Sequence, residues 1–423
     1  MRRHTYLGLL ACTIVACTPR GEESETIAFK PAPCAVGVYG DKTSFVVMTR
    51  RGDAFRYAYS DGRRGLVAEA SDLACGAGHL RVDDATIYSQ LPLKITDTRF
   101  RSGEVMLAGQ LIEPATADAS MPLVVLAHGS EELGWINAVD YPFQFAGRGV
   151  SAFVYDKRGT GLSEGRYSQN FPELADDLVA ASNEAKRLAQ NRFGRFGLFG
   201  FSQGGWIAPL AAERAEAEFI GIGYGLVVDI LEEDAAQVTL ELTEAGYGAD
   251  VIAQGREVTD ITARLAVSGY TDGLDDLARV QREYGEERWF KELRGGFSGV
   301  ILGMSVEQLR DEGIPMFDRL NIDWSIKPMD VLRTVEVPQL WALAAEDREA
   351  PVATTLDRLL TLRAEGQDIR IVVYPNTDHG MREFVQADDG SRRYTRVTDT
   401  YYDLLADWAK GDLAASYADS VNR

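Results

Sequence analysis

The sequence predicts an α/β fold built on a doubly wound, mostly parallel sheet. Continuous apolar runs at residues 122–127 and 150–155 are typical of strands that a parallel sheet buries on both faces. Residues 174–190 have apolar side chains at helical spacing and lie between such runs. Strands and helices alternate in this way along most of the chain, which indicates ligand binding at the carboxyl ends of the strands.

The N-terminus is predicted to be a lipoprotein signal at residues 1–16. A basic start precedes an apolar stretch, residues 6–16, which is too short for a comfortable membrane span. It ends in Ile14-Val-Ala-Cys17, which resembles a bacterial lipobox with Cys17 as the lipidated residue. The alternative is an ordinary secretory signal cut after Ala16. We expect an exported protein held on a membrane by lipid alone, on the outer membrane of a Gram-negative host because Thr18 rather than Asp follows.

A tether at residues 17–33 is expected to lead into a small β-rich domain at residues 34–90. Short β-like stretches occupy residues 44–48, 55–59 and 65–69, with a turn at Asp61-Gly62. Besides Cys17, the exported chain keeps only Cys34 and Cys75, and export favours a disulfide between them. Two buried free thiols are the alternative. The sequence does not indicate what this domain does.

The larger part of the chain is divided by an insertion. A hairpin at residues 99–114 opens the first part of the core, residues 91–225, and residues 226–330 are acidic and helical in character. Residues 331–423 complete the core. The remaining predicted elements are a short helix at 141–147, strands at 196–199, 219–224, 338–344 and 369–374, and a final helix at 394–410.

Ser202 is the predicted nucleophile. It lies in Gly200-Phe-Ser-Gln-Gly204, between a predicted strand at 195–199 and a predicted helix at 206–213. A strand, a serine flanked by glycines and a helix form the sharp turn that exposes a reactive hydroxyl. Ser163, in Gly161-Leu-Ser-Glu-Gly165, fits the same pattern, but a polar loop rather than a helix follows it. This context favours Ser202.

A serine hydroxyl needs a base, and the base needs an acid to orient it. His379 is the only histidine that fits the chain order of serine, acid and histidine, because His4, His79 and His128 all precede Ser202. The acid should follow the strand at 338–344, where Asp347 is chosen over Glu346 and Glu349. Asp378 neighbours His379 in sequence and is interpreted as a structural loop residue.

An oxyanion intermediate requires backbone N–H donors. The N–H of Gln203, next to the nucleophile, is one candidate. The second is the N–H of Ser130 in the loop after the strand at 122–127, with Glu131 as a nearby alternative. His128 in the same loop is interpreted as a buried histidine that binds the backbone.

Together these segments resemble the α/β hydrolases over residues 91–423. The His128-Gly-Ser loop, Tyr155-Asp-Lys-Arg-Gly159, the Ser202 motif, Asp347 and His379 fall in that family's order and are most similar to its serine aminopeptidase and dipeptidyl-aminopeptidase-like branch, which includes many bacterial esterases. The resemblance implies that residues 226–330 form a cap, which we expect to shape the acyl pocket. It also implies that the loop after Tyr155 is structural. No cofactor or metal is expected.

Composition limits the partners. The net charge is −20, from 44 basic and 64 acidic residues, which opposes binding to nucleic acid or to anionic lipid headgroups. The expected function is a serine carboxylesterase acting on a small-molecule ester. A serine peptidase acting on small peptides is the first alternative, and a catalytically silent binding lipoprotein of the cell envelope is the second. Oligomeric state is not indicated.

Overall fold

The computed structural model describes residues 29–417 and 420–423. The predicted signal, the lipidation site Cys17, His4 and most of the tether lie outside the described residues. Among the residues described, no helix combines the length and the apolar character that crossing a bilayer requires.

Two small antiparallel sheets form an N-terminal module. Its strands are β1 (Gly37–Gly40), β2 (Phe45–Arg51), β3 (Ala54–Tyr59) and β4 (Arg64–Leu66) in one sheet, and β5 (Ala74–Gly76), β6 (His79–Arg81) and β7 (Ile87–Ser89) in the other. The expected disulfide joins Cys34 to Cys75, at a Cα–Cα distance of 5.0 Å. The predicted β-rich N-terminal domain is therefore confirmed.

A mixed sheet forms the centre of the molecule. Eight of its strands are β8 (Leu93–Ser102), β9 (Val105–Pro114), β10 (Leu123–Ala127), β11 (Ser151–Tyr155), β12 (Phe196–Phe201), β13 (Phe219–Gly223), β14 (Gln339–Ala344) and β15 (Ile369–Tyr374). Their spatial order is β15-β14-β13-β12-β10-β11-β9-β8. Strands β10 to β15 are parallel, and β9 and β8 extend one edge as an antiparallel hairpin. The parallel strands are buried along nearly their whole length, which explains their continuous apolar runs.

Helices in the first half of the core cover both faces of this sheet. They are α1 (Tyr141–Gly147), α2 (Phe171–Ala189) and α3 (Gly204–Ala211). Successive side chains of a strand point to opposite faces. Leu198 of β12 accordingly packs in the same cluster as Leu178 of α2, whereas Phe199 packs with Phe143 of α1. Phe45 of β2 joins the second cluster, so the N-terminal module is packed against the α1 side of the core.

A helical segment follows β13 and has a hydrophobic core of its own, which includes Val238, Leu265 and Trp289. Its helices are α4 (Ile230–Glu244), α5 (Ala249–Val267), α6 (Leu274–Tyr284), α7 (Arg288–Glu292), α8 (Ser298–Leu302), α9 (Val306–Gln308) and α10 (Ile314–Leu320). Asp229 starts α4 with a capping box, in which its carboxylate accepts the Glu232 N–H.

The C-terminal part corrects one expectation. It contains α11 (Pro328–Arg333), α12 (Val352–Ala364), β16 (Thr377–Asp378), β17 (Arg382–Gln386), β18 (Arg392–Val397), α13 (Tyr401–Lys410) and β19 (Val421–Asn422), which adds to the central sheet beside β15. The prediction of one helix over residues 394–410 is wrong for its first part. Residues 392–397 pair with β17 instead, and Thr400, with a φ of 60°, separates this strand from α13.

Candidate active site

Ser202 lies in the turn between β12 and α3 and has a φ of 52°. Non-glycine residues rarely adopt this left-handed conformation, and such strain is concentrated at functional sites. The turn is tight, because a Cβ at Gly200 would lie 2.1 Å from the Gly204 carbonyl oxygen. The Ser202 N–H donates to the Gly223 carbonyl at 3.1 Å, and the Ser202 carbonyl accepts the Gly205 N–H at 2.7 Å. The backbone on both sides of the hydroxyl is therefore fixed.

The structure brings Ser202, His379 and Asp347 together. His379 Nε2 lies 3.0 Å from Ser202 Oγ, and His379 Nδ1 lies 2.9 Å from Asp347 Oδ2. Asp347 is buried, and its Oδ1 accepts the backbone N–H groups of Glu349 at 3.0 Å and Ala350 at 2.8 Å. These two bonds hold the carboxylate in place, so that its other oxygen faces the imidazole.

The competing carboxylates occupy other positions. Glu346 lies 3.7 Å from the guanidinium of Arg392, which also pairs with Asp378 at 2.7 Å. Asp378 therefore forms an ion pair with Arg392, which is consistent with a structural role for this residue. Glu349 reaches the imidazole from the other side, 3.3 Å from His379 Nε2, the nitrogen that faces the serine. It does not contact the Nδ1 nitrogen, which Asp347 orients.

The proposed oxyanion donors belong to segments that adjoin the serine. Neither the Gln203 nor the Ser130 N–H donates to a backbone carbonyl within the described part of the chain. An ideal Cβ at Gly129 would lie 3.4 Å from Ser202 Cβ, so the loop that carries Ser130 lies against Ser202. Lys157 Nζ donates to the Gly129 carbonyl at 2.6 Å. In a trans peptide the C=O and N–H groups point in opposite directions, so this bond turns the Ser130 N–H away from Lys157.

His128 is buried and bonds the backbone, with Nε2 at 2.6 Å from the Tyr155 carbonyl oxygen. Its ring stacks on Trp135 at a centroid distance of 4.3 Å. Burial lowers the pKa of His128, so the ring is neutral in the folded protein. The indole N–H of Trp135 donates to the carboxylate of Glu131, the residue that follows Ser130.

Ser163 and His79 take no part in the contacts among Ser202, His379 and Asp347. The Ser163 hydroxyl donates to the Asp156 carbonyl at 2.6 Å and accepts the Ala108 N–H at 2.9 Å. Both bonds are structural and occupy the hydroxyl. His79 lies in β6, where Nδ1 is 2.8 Å from the Ala77 carbonyl oxygen.

Neighbouring carboxylates determine the direction in which the pKa of the His379 imidazole is shifted. Burial by itself lowers the pKa of His379, but the negative charges of Asp347, Glu349 and Glu233 outweigh it and raise the pKa to about 9. Burial also raises the pKa of Glu233, at the start of α4, to about 8. The resting imidazole is therefore mostly protonated at neutral pH, and it becomes a base as the pH rises.

A cleft of about 730 Å³ opens over the serine and the imidazole. The helical segment expected to shape the acyl pocket, residues 226–330, supplies none of the described residues that line this cleft, so its role in the pocket stays a prediction. The N-terminal module and the β17–β18 hairpin line it instead. These contributions are not among the predictions from the sequence, because no short motif marks them. The lining arginines are Arg51, Arg56, Arg64, Arg382 and Arg396.

The comparison with protein families defines the class of this protein. A model of the alpha/beta hydrolase family matches residues 124–395, which is more than half of the chain. The chain belongs to the alpha/beta hydrolase family and is classed as a hydrolase. No curated protein is significantly similar to it in sequence.

Solved structures show distant similarity. An esterase from Pyrococcus furiosus is 13% identical, with 68% of this chain and 84% of that chain covered and a TM-score of 0.42. An acylaminoacyl peptidase from Pyrococcus horikoshii is 16% identical, with 82% and 46% covered and a TM-score of 0.42. The alpha/beta hydrolase GrgF from Penicillium sp. sh18 is 17% identical, with 69% and 92% covered and a TM-score of 0.39. This chain thus spans about half the length of the peptidase.

Proposed function

We propose that this protein is a serine hydrolase that cleaves carboxylic esters through an acyl-enzyme. The observation that carries the proposal is the hydrogen-bonded chain from Asp347 through His379 to Ser202. A carboxylate, an imidazole and a serine in this arrangement form the constellation that activates a hydroxyl for acyl transfer.

In the proposed mechanism, Ser202 Oγ attacks the ester carbonyl while His379 Nε2 accepts its proton. The Gln203 and Ser130 N–H groups stabilise the oxyanion of the tetrahedral intermediate. When the intermediate collapses, the imidazolium returns the proton to the departing alcohol. Water then attacks the acyl-serine carbonyl while His379 Nε2 accepts a proton from it. The second intermediate collapses with cleavage of the bond between the acyl carbon and Ser202 Oγ, the imidazolium returns the proton to Oγ, and the carboxylic acid leaves. Asp347 orients the imidazole and stabilises its charged form throughout.

The proposal is tested with short-chain para-nitrophenyl esters and with wild-type protein and Ser202→Ala. We expect turnover by the wild type and a loss of at least about a thousandfold in the variant, because the remaining oxyanion site and binding alone give limited catalysis. Ser163→Ala is the matched control, and we expect it to retain turnover. Equal rates for wild type and Ser202→Ala would refute the proposal, as would the absence of any turnover.

A peptidase is the second candidate, because the Glu349 carboxylate lies beside the catalytic imidazole, 3.3 Å from His379 Nε2. Glu349 also lines the cleft over Ser202, where it could pair with the ammonium group of a peptide N-terminus. Turnover of aminoacyl arylamides, without turnover of the matched esters, would favour the peptidase.

We also propose that the protein is exported and anchored by lipid at Cys17, with an outer-membrane location if the host is Gram-negative. The basic start, the short apolar stretch and the lipobox-like sequence support this. Radiolabelled palmitate should be incorporated into the wild type and not into Cys17→Ser. Export without labelling would instead favour a plain secretory signal.

A further inference from the structure

The cleft above Ser202 carries a charge opposite to that of the whole protein. The chain has a net charge of −20, yet among the described residues that line the cleft there are five arginines and two carboxylate residues, Glu131 and Glu349. Both glutamates have local partners, since Glu131 accepts the Trp135 indole N–H and Glu349 contacts His379. The charged groups that remain on the lining, apart from His379, are the arginines.

Three of these arginines share one face of the N-terminal sheet. Arg51 pairs across the β2–β3 hairpin with Ala54, and Arg64 of β4 pairs with Ala58. Ala54, Arg56 and Ala58 occupy alternate positions of β3, so their side chains point to the same side. The register thus places the side chains of Arg51, Arg56 and Arg64 on one face. Like charges on neighbouring strands repel, and the Asp140 carboxylate offsets part of this repulsion.

Of these three arginines, Arg64 is held in an ion pair, whereas Arg51 and Arg56 are available to bind a ligand. Arg64 pairs with the buried Asp140 at 2.9 Å, and Asp140 also accepts the Tyr402 hydroxyl at 2.6 Å. Within residues 29–417 and 420–423, neither Arg51 nor Arg56 forms an ion pair or donates a side-chain hydrogen bond. Burial and the charges of Arg64 and Arg51 lower the pKa of the Arg56 guanidinium. Both groups are thus free to bind an anion.

The other two lining arginines are already engaged. Arg396 pairs with Glu383 at 2.9 Å. Arg382 donates to the His379 carbonyl at 3.1 Å and covers the ring of Tyr394 at 4.1 Å. The two lining arginines that form no ion pair within the described residues, Arg51 and Arg56, therefore both belong to the N-terminal module, which forms one wall of the cleft over Ser202.

We propose that Arg51 and Arg56 form a subsite for a carboxylate carried by the substrate, so that the preferred substrate is an ester with a free carboxylate elsewhere in the molecule. A guanidinium pairs with the two oxygens of a carboxylate in a bidentate manner. This inference rests on the proposed ester hydrolysis and adds the substrate class. It also assigns a function to the N-terminal module, which completes the cleft of the hydrolase core.

Matched ester pairs test the subsite on each side of the scissile bond. On the acyl side, the mono-para-nitrophenyl ester of adipic acid is compared with the para-nitrophenyl ester of isooctanoic acid, in which an isopropyl group replaces the carboxylate. On the alcohol side, para-acetoxybenzoate is compared with para-isopropylphenyl acetate. The readout is the ratio of kcat/KM, anionic over neutral, after subtraction of spontaneous hydrolysis. We expect a ratio of at least about ten in one pair for the wild type, because the free energy of a hydrogen bond to a charged group corresponds to about a tenfold difference in binding or more.

Variants locate the preference. The double variant Arg51→Gln/Arg56→Gln should bring the ratio towards one, whereas Arg101→Gln, which removes the same charge from an exposed arginine on β8, should leave the ratio unchanged. Raised salt should lower the wild-type ratio by screening. The subsite is refuted if neither pair favours the anionic ester, or if the preference survives in the double variant.

A failure of the ester hypothesis can be separated from a failure of the subsite. If the wild type hydrolyses no ester, adipate binding is measured by calorimetry on Ser202→Ala, with and without Arg51→Gln/Arg56→Gln. Adipate binding that depends on the two arginines would support the subsite independently of catalysis. No binding, or equal binding to both proteins, would overturn it.

Discussion

His379 Nε2 lies 3.0 Å from Ser202 Oγ, although 177 residues separate the two in the chain. The topology explains this approach. Ser202 follows β12, Asp347 follows β14 and His379 follows β15, and these parallel strands lie in the order β12-β13-β14-β15. Their carboxyl ends share one edge of the sheet, so the loops after them meet there.

Replacing Asp347 tests the orientation of the base. In Asp347→Asn the backbone N–H groups that hold the side chain still find an oxygen acceptor, but the negative charge beside His379 Nδ1 is lost. We expect kcat for a good ester to fall by roughly a thousandfold or more. Glu346→Gln is the matched control, since Glu346 faces Arg392, and it should stay near the wild-type rate. A larger loss in Glu346→Gln than in Asp347→Asn would contradict the assignment.

The pH profile depends on the carboxylates around the imidazole. His379 must be neutral to accept the serine proton, and its pKa is raised to about 9, so kcat/KM should rise from neutral pH and level off above about pH 9. Glu349→Gln removes a negative charge 3.3 Å from Nε2, which lowers the pKa of His379. The rising limb should therefore move to lower pH by up to about one unit.

Glu346→Gln again serves as the control for this shift, because it removes a charge from the same loop without contacting the ring. Its limb should coincide with that of the wild type. A limb in Glu349→Gln that is unmoved, or that moves to higher pH, would show that Glu349 does not act on the imidazole.

Lys157 is expected to act as a positioning residue for the oxyanion loop. Lys157→Met removes the bond to the Gly129 carbonyl and frees the peptide that carries the Ser130 N–H. We expect kcat to fall by about ten- to a hundredfold, with a smaller change in KM, because the loss concerns an oxyanion donor. Lys42→Met, at an exposed position of the N-terminal module, is the control. An unchanged kcat in a folded Lys157→Met protein would rule out this role.

The disulfide should stabilise the N-terminal module. It joins residues 41 positions apart, and closing a loop of this length in the unfolded chain corresponds to about 4 kcal/mol in the chain-entropy model. Cys34→Ser/Cys75→Ser should therefore unfold at a lower denaturant concentration, and reduction of the wild type should reproduce the shift. Denaturation curves of the double variant and the oxidised wild type that superimpose would contradict the expectation.

The grouping of Ser202, Asp347 and His379 could be predicted from the sequence because each of them follows a predicted strand. Buried parallel strands give long apolar runs, and the residues immediately after them are easy to locate. The tight turn at Ser202 needs glycines, so it also leaves a visible pattern. The preference for Asp347 over Glu346 and Glu349 follows from the spacing Asp-x-x-Ala-Pro, which resembles the acid loop of the family, and only the fold shows which carboxylate faces Nδ1.

The arginine subsite and the β17–β18 hairpin could not be predicted in this way. Arg51 and Arg56 come from a module far from Ser202 in sequence, and their shared face depends on strand register, which no local pattern fixes. Residues 392–397 are polar and mostly solvent-facing, so they lack the apolar periodicity that separates a strand from a helix. Tertiary pairing with β17 decides their conformation.

Fluorophosphonate labelling followed by peptide mapping tests the central claim most directly. We predict a single adduct on the peptide that contains Ser202, no such adduct in Ser202→Ala, and much slower labelling in His379→Ala. An adduct on Ser163, or labelling of Ser202→Ala at the wild-type rate, would contradict it.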